Sequence, residues 1–343
     1  MTLNILWSDD RASYVVADSA RSHKGTPLHS HSLLQQLQSI SRRGISVEEG
    51  AQKIVPITDS CVSVLCGNAY DAREFVEHAR KTWSTGDLNV LLNHVNTLSS
   101  NARFVVGITE GNHDEAVITY TFPEREILVT RRGEIKINGS LSEVLTGFLA
   151  NRIYTHFLSS ALEIDCEVRL VGALAIATTM AARNNLTEQS VGGAFFGGYI
   201  ENQKYKWQPD VSYAFYSSDR LRDQEDAAKS GKTSDEIFST VHTGVRDNVS
   251  CAATAHRGLA ALSELSASPQ EWMEKWKDRL NSELGEPKFV VFVPILDGSV
   301  TVVARNMGQN CRVTKEEFAY TSFLGEILKR KSSDLGTDLV LVA

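Results

Sequence analysis

The stretch that decides the fold is residues 1–19, MTLNILWSDDRASYVVADS, at the start of a chain of 343 residues. Leu3, Ile5 and Trp7 alternate with Asn4 and Leu6, and Ser13 to Ala17 is a second run of β-forming residues. Ser8 to Asp10, between these runs, has the short polar side chains that are typical of turns. The stretch therefore predicts a β-hairpin that begins at the second residue.

Thr2 is the candidate reactive residue of this stretch. If Met1 is removed, Thr2 becomes the N-terminal residue and carries a hydroxyl and a free α-amine together. Small side chains after the initiating methionine normally permit that removal. A threonine hydroxyl with an N-terminal amine as its base is an activated nucleophile, so we expect any chemistry to lie at this end of the hairpin.

Composition and charge exclude several classes of protein. The net charge of −7, with no long basic block, argues against a nucleic-acid partner. We expect no signal peptide and no membrane partner, because polar residues interrupt the N-terminal run and no apolar stretch has membrane-spanning length. The five cysteines are scattered and form no C-x-x-C pair, which favours a reducing, cytoplasmic location without a metal site or a disulfide framework. We predict no cofactor.

A strand followed by a glycine and a helix comes next along the chain. Lys53 to Ile57 and Cys61 to Cys66 are predicted strands, and Tyr70 to Trp83 is a predicted amphipathic helix. Gly67 lies at the junction of the second strand and the helix. Its amide can point into an open site and donate to an oxyanion, while close packing of the glycine is the alternative.

The middle of the chain alternates further strands with two long helices. Ser140 and Glu143 have the spacing of a capping box, so a helix is predicted from Leu141 to about Leu162. A very apolar helix from Val168 to Asn184 should be packed on two sides. A last pair of strands, Ala194 to Ile200 and Val211 to Tyr216, closes the first domain, which we place at residues 1–217.

Residues 218–343 are predicted to form a mostly helical extension with some strands. The predicted helices are Val241 to Leu262, Pro269 to Leu284 and Phe318 to Lys331; the predicted strands are Phe289 to Val293, Ser299 to Ala304 and Leu339 to Val342. No catalytic motif falls in this part, and its role is left open.

Five short motifs, which fall within about residues 2–216 apart from Met1, together resemble the proteasome-type N-terminal nucleophile hydrolases, the family of proteasome β-subunits and of the bacterial HslV peptidase. Met1-Thr2 looks like their processed threonine, and Val15 to Ser19 is similar to their A-D-S element. Lys53 to Asp59 resembles the strand that begins with their catalytic lysine. Cys66 to Ala72 is similar to their G-x-x-x-D-A segment, and Gly139-Ser140 matches their G-S-G element.

The resemblance implies an α+β protein with a four-layer αββα sandwich, to which the C-terminal α/β extension is added. It also implies a threonine peptidase acting on a peptide or protein. The implied site residues are Thr2 as nucleophile and base, Asp18 and Lys53 as the supporting ion pair, Gly67 as the oxyanion donor and Ser140 beside the amine. Family members form rings, so a homo-oligomer, as a ring or part-ring, is expected, with an ATP-dependent unfoldase partner by analogy only. The alternative is a catalytically inactive scaffold of the same fold whose C-terminal part is an interaction module.

Overall fold

A computed structural model describes residues 3–24, 45–48, 52–65, 69–82, 105–110, 117–121, 126–139, 141–159, 164–184, 186, 191, 194–216, 237–246, 248–256, 287–294, 300–305, 311–313, 318–320 and 339–342. These residues combine helices with strands in sheets, so the predicted α+β class is confirmed.

The strands are β1 (Leu3–Ser8), β2 (Ala12–Asp18), β3 (Arg21–Lys24), β4 (Ile45–Glu48), β5 (Ile54–Thr58), β6 (Cys61–Leu65), β7 (Val105–Glu110), β8 (Val117–Thr121), β9 (Glu126–Thr130), β10 (Ile135–Gly139), β11 (Phe195–Glu201), β12 (Lys204–Trp207), β13 (Val211–Tyr216), β14 (Ile237–Arg246), β15 (Val249–His256), β16 (Phe289–Pro294), β17 (Thr301–Arg305), β18 (Cys311–Val313), β19 (Phe318–Tyr320) and β20 (Leu339–Val342). The helices are α1 (Ala69–Thr82), α2 (Glu143–Ile153), a π-helix directly after it (Tyr154–Leu158) and α3 (Cys166–Arg183).

The chain divides into two compact units. The first comprises Met1–His23, Val47–Leu170 and Glu188–Gln208, and the second comprises Lys24–Ser46, Val171–Thr187 and Pro209–Ala343. The first unit holds two five-stranded antiparallel sheets. We call β10-β1-β2-β11-β12 the N-terminal sheet and β5-β6-β7-β8-β9 the meander sheet.

The predicted N-terminal hairpin is confirmed. β1 and β2 pair antiparallel, and every residue of both strands is buried. The turn is held by Asp9, whose Oδ1 accepts hydrogen bonds from the amides of Arg11 at 2.8 Å and Ala12 at 2.9 Å. This is the local backbone bonding that favours aspartate in turns. Trp7 stacks on Tyr14 across the hairpin, with ring centroids 4.7 Å apart.

The two sheets of the first unit contact each other. β1 lies against β8, and β2 lies against β5 and β7. Helix α1 packs on β5 and β6 of the meander sheet, while α2 contacts β10 of the N-terminal sheet. The hairpin of β1 and β2 is therefore part of the N-terminal sheet and also contacts the meander sheet.

The second unit is built on a six-stranded sheet in the order β15-β14-β13-β16-β17-β20. It is mixed, since β13 runs parallel to β16 and β17 runs parallel to β20. The predicted strands at Phe289, Thr301 and Leu339 are confirmed within it. Thr179 of α3 shares a buried hydrogen bond of 2.9 Å with Thr301 of β17.

Helix α3 confirms the predicted apolar helix to within two residues at its start and one at its end. Each residue from Val168 to Ala182 is buried. Arg169 is the charged exception in this run, and its guanidinium is paired with Asp9 at 2.9 Å. A helix buried over so much of its surface is expected to have an apolar sequence all round.

The helix predicted from Val241 to Leu262 is wrong where the structure describes it. These residues form parts of β14 and β15, which pair antiparallel from Ser239 opposite His256 to Arg246 opposite Val249. The segment is rich in valine and threonine, whose branched side chains favour strands. Residues 257–286, which include the helix predicted from Pro269, lie outside the described residues, and Phe318–Tyr320 is a short strand rather than the start of a helix.

The two strands predicted at the end of the first domain are confirmed as β11 and β13, but the segment between them differs from the prediction. β11 pairs with β2 and with β12, and β12 occupies part of the segment expected to be a polar connection. Asn202 and Gln203 both have positive φ, 52° and 62°, as a two-residue hairpin turn requires. The two lysines of β12 are exposed at the sheet edge, where lysine protects against edge-to-edge pairing.

Helix α2 begins at Glu143 and not at Leu141. Its N-cap is Ser142, whose side chain accepts a hydrogen bond from the amide of Leu145 at 3.4 Å. The capping box predicted at Ser140 is therefore wrong, because a second serine two residues later caps the helix. The helix then passes into the π-helix at Tyr154.

Gly197 of β11 is a position where the packing requires a glycine. A Cβ placed there would lie 2.8 Å from Leu170 Cδ1 and 2.9 Å from the carbonyl oxygen of Val15. We expect Gly197→Ala to lower the free energy of unfolding by about 1–3 kcal/mol, because backbone must move to admit the methyl group. Urea unfolding measures this. Gly147→Ala is the matched control, since no atom of the described residues lies within 4 Å of a Cβ there, and a stability no lower than that of the parent is expected for it.

His242 of β14 predicts a dependence of stability on pH. Burial, opposed by the charge of Asp210, lowers the pKa of His242 from 6.5 to about 4. The unfolded chain takes up this proton below about pH 6.5 while the folded chain does not, so acid favours unfolding. Between pH 7 and pH 5 we expect this residue to cost about 2 kcal/mol of stability.

Urea unfolding at several pH values tests this expectation against a His242→Gln variant. The variant should lose less stability between pH 7 and pH 5 than the parent protein. Equal losses in both proteins would contradict the assignment.

Candidate active site

Asp18 ends β2 and is almost completely buried, with 1% of its surface exposed. Its Oδ1 atom accepts two hydrogen bonds, from the Lys53 ammonium at 2.6 Å and from the backbone amide of Leu3 at 2.8 Å. The carboxylate thus joins the first described residue of β1 to a side chain from outside the N-terminal sheet. Bonds from charged and backbone donors are the means by which a buried carboxylate is compensated.

Lys53 lies directly before β5 of the meander sheet. Its side chain is 9% exposed, and its carbonyl oxygen accepts a hydrogen bond from the amide of Leu65 at 2.8 Å. The lysine backbone is therefore held by the meander sheet while its ammonium is held by Asp18. This two-point attachment leaves the ammonium little freedom to move.

Several strand ends of the N-terminal sheet meet beside Asp18. Leu3 is opposite Gly139 of β10, and Phe195 of β11 is opposite Asp18. The amide of Ser19 donates to the carbonyl oxygen of Ala194 at 2.9 Å. Gly139 has a backbone φ of 143°, a value that residues other than glycine rarely adopt. The chain can therefore turn away from the sheet at this point, next to the start of β1.

Of the predicted site residues, the structure brings Asp18 and Lys53 together. Thr2, Gly67 and Ser140 lie outside the described residues, and their roles stay predictions. Their nearest described neighbours in sequence are all at this end of the sheets. Leu3 follows Thr2, Gly139 precedes Ser140, and Leu65 lies two residues before Gly67 and is bonded to Lys53.

Two asparagines near this end were not identified from the sequence. Asn4 and Asn138 are opposite each other in β1 and β10, and both are buried. Within the described part of the chain, neither side-chain amide atom of Asn4 has a hydrogen-bond partner, and the amide nitrogen of Asn138 has none either. The sequence does carry one signal for them, which is the polar side chain of Asn4 within an otherwise apolar strand. Burying such a side chain costs free energy, so its presence there calls for an explanation.

The other end of the same hairpin also has a buried ion pair. Arg169 of α3 contacts Asp9 at 2.9 Å, and the side chains are 8% and 5% exposed. Arg169 also donates to the carbonyl oxygen of Phe157 at 2.8 Å. Nearby, burial raises the pKa of the Cys166 thiol.

The described residues offer no group of three or more histidine, cysteine, aspartate or glutamate side chains that could hold a metal ion. In the same part of the chain, each helix is too short or too polar to cross a membrane. No protein-family model matches the chain, and no curated protein sequence matches it.

The buried Asp18–Lys53 pair predicts a large loss of stability when one partner is removed. Lys53→Met leaves the carboxylate buried without its cation, which costs about 3–5 kcal/mol. Lys206→Met is the matched control, because the Lys206–Glu201 pair of the same sheet is 44% and 30% exposed and such a pair contributes less than about 1 kcal/mol.

A double-mutant cycle separates coupling from general damage. Asp18→Asn combined with Lys53→Met should cost less than the sum of the two single changes, because the double variant leaves no unpaired charge. Urea unfolding provides the free energies. Additive losses would show that the two side chains do not stabilise each other.

Proposed function

We propose that the chain is a threonine-nucleophile amide hydrolase, most closely a proteasome-like peptidase, that acts through Thr2 after removal of Met1. The observation that carries the proposal is the buried carboxylate of Asp18, bonded at once to Lys53 and to the amide of the residue that follows Thr2. This arrangement supplies a fixed cation beside the start of the chain. An N-terminal nucleophile needs such a cation, whereas a strand with a purely structural role does not.

The first step is attack on an amide carbonyl. The Thr2 hydroxyl attacks the carbonyl carbon, and the free α-amine of Thr2 accepts its proton. An α-amine has an ordinary pKa near 7.7–8.0, so it is a usable base close to neutral pH. A nearby Lys53 ammonium disfavours a second positive charge and keeps the amine unprotonated.

Asp18 acts on this step through Lys53. Its carboxylate fixes the position of the ammonium and compensates for its charge, at an Nζ–Oδ1 distance of 2.6 Å. The bond from the Leu3 amide to the same oxygen fixes the backbone next to Thr2. Asp18 is therefore a positioning residue in this proposal.

The remaining steps follow the chemistry of acyl transfer. The amide of Gly67 donates to the oxyanion of the tetrahedral intermediate, a bond whose loss typically costs about 100-fold or more in rate. The amine of Thr2, protonated in the first step, gives its proton to the leaving amine as the C–N bond breaks. Water then attacks the Thr2 ester, and the hydroxyl is regenerated with release of the acid. By the same resemblance, Ser140 is assigned to orient the amine.

The contacts of the first unit support the fold that this proposal requires. Two antiparallel sheets contact each other, α1 packs on the meander sheet and α2 contacts the N-terminal sheet. These contacts are consistent with a four-layer αββα sandwich of the N-terminal nucleophile type. We further propose a peptide or protein substrate, a cytoplasmic location and assembly as a ring or part-ring, with an unfoldase partner by analogy alone.

Kinetics of variants against fluorogenic peptides test the proposal. Thr2→Ala should abolish cleavage, while Thr2→Ser should keep a measurable fraction because it retains a hydroxyl and an amine. Asp18→Asn should lower kcat, because Lys53 then loses the carboxylate that fixes the position of its ammonium. Lys206→Met, the exposed control, should stay within twofold of the parent.

A Thr2→Ala protein that cleaves like the parent would contradict the proposal. A purified parent protein with Met1 removed, but with no cleavage of any peptide tested, would instead favour the inactive scaffold. Circular dichroism of each variant separates loss of catalysis from loss of folding.

A further inference from the structure

No further inference is drawn: the strongest candidate, the buried side-chain cluster of Asn4 and Asn138 where β1 pairs with β10 at the open end of the N-terminal hairpin, carries nothing because no group in the described part of the chain shows what its amide atoms would bind.

Discussion

The Asp18 carboxylate is the interaction on which the rest of the site depends. A buried charge must be compensated within the protein, and here one oxygen receives both the Lys53 ammonium and the amide of Leu3. These two donors come from different sheets of the first unit. A single carboxylate therefore fixes where the chain's first strand begins relative to a lysine that is distant in sequence. The chemistry proposed for Thr2 follows from that one constraint.

The N-terminal hairpin is held at both of its ends in the same way. At the turn, Asp9 bonds the amides of Arg11 and Ala12 and also pairs with Arg169. At the open end, Asp18 pairs with Lys53. Buried ion pairs of this kind add little net stability but are costly to break. Their effect here is to specify position, because each carboxylate meets its cation in only one placement of the hairpin.

The elements with one unambiguous pattern were predictable from the sequence. The hairpin followed from its turn residues, and α3 followed from an apolar run too long for a strand. β14 and β15 were misassigned because spaced apolar residues fit a helix as well as a strand, and only pairing with β13 decides between them. The start of α2 was misplaced because Ser140 and Ser142 are both good caps, and the choice depends on where β10 ends.

For the candidate site, the sequence allowed the residues to be named but not their hydrogen bonds to be predicted. The resemblance of the segments around Thr2, Asp18 and Lys53 to a known family implied an ion pair beside an N-terminal nucleophile, and the structure places Asp18 and Lys53 in contact. The bond from Leu3 to Asp18 could not be foreseen, since it depends on the register of β1 and β2. The buried pair of Asn4 and Asn138 likewise appears only when β10 is placed beside β1.

The central claim is that a free Thr2 amine and hydroxyl form the nucleophile. Intact-mass measurement of the purified protein, with and without a threonine-directed electrophile, tests it most directly. The account predicts a mass lower by one methionine, and a single adduct that peptide mapping locates at Thr2 and that Thr2→Ala abolishes. Retention of Met1, or an adduct on another residue that survives Thr2→Ala, would contradict it.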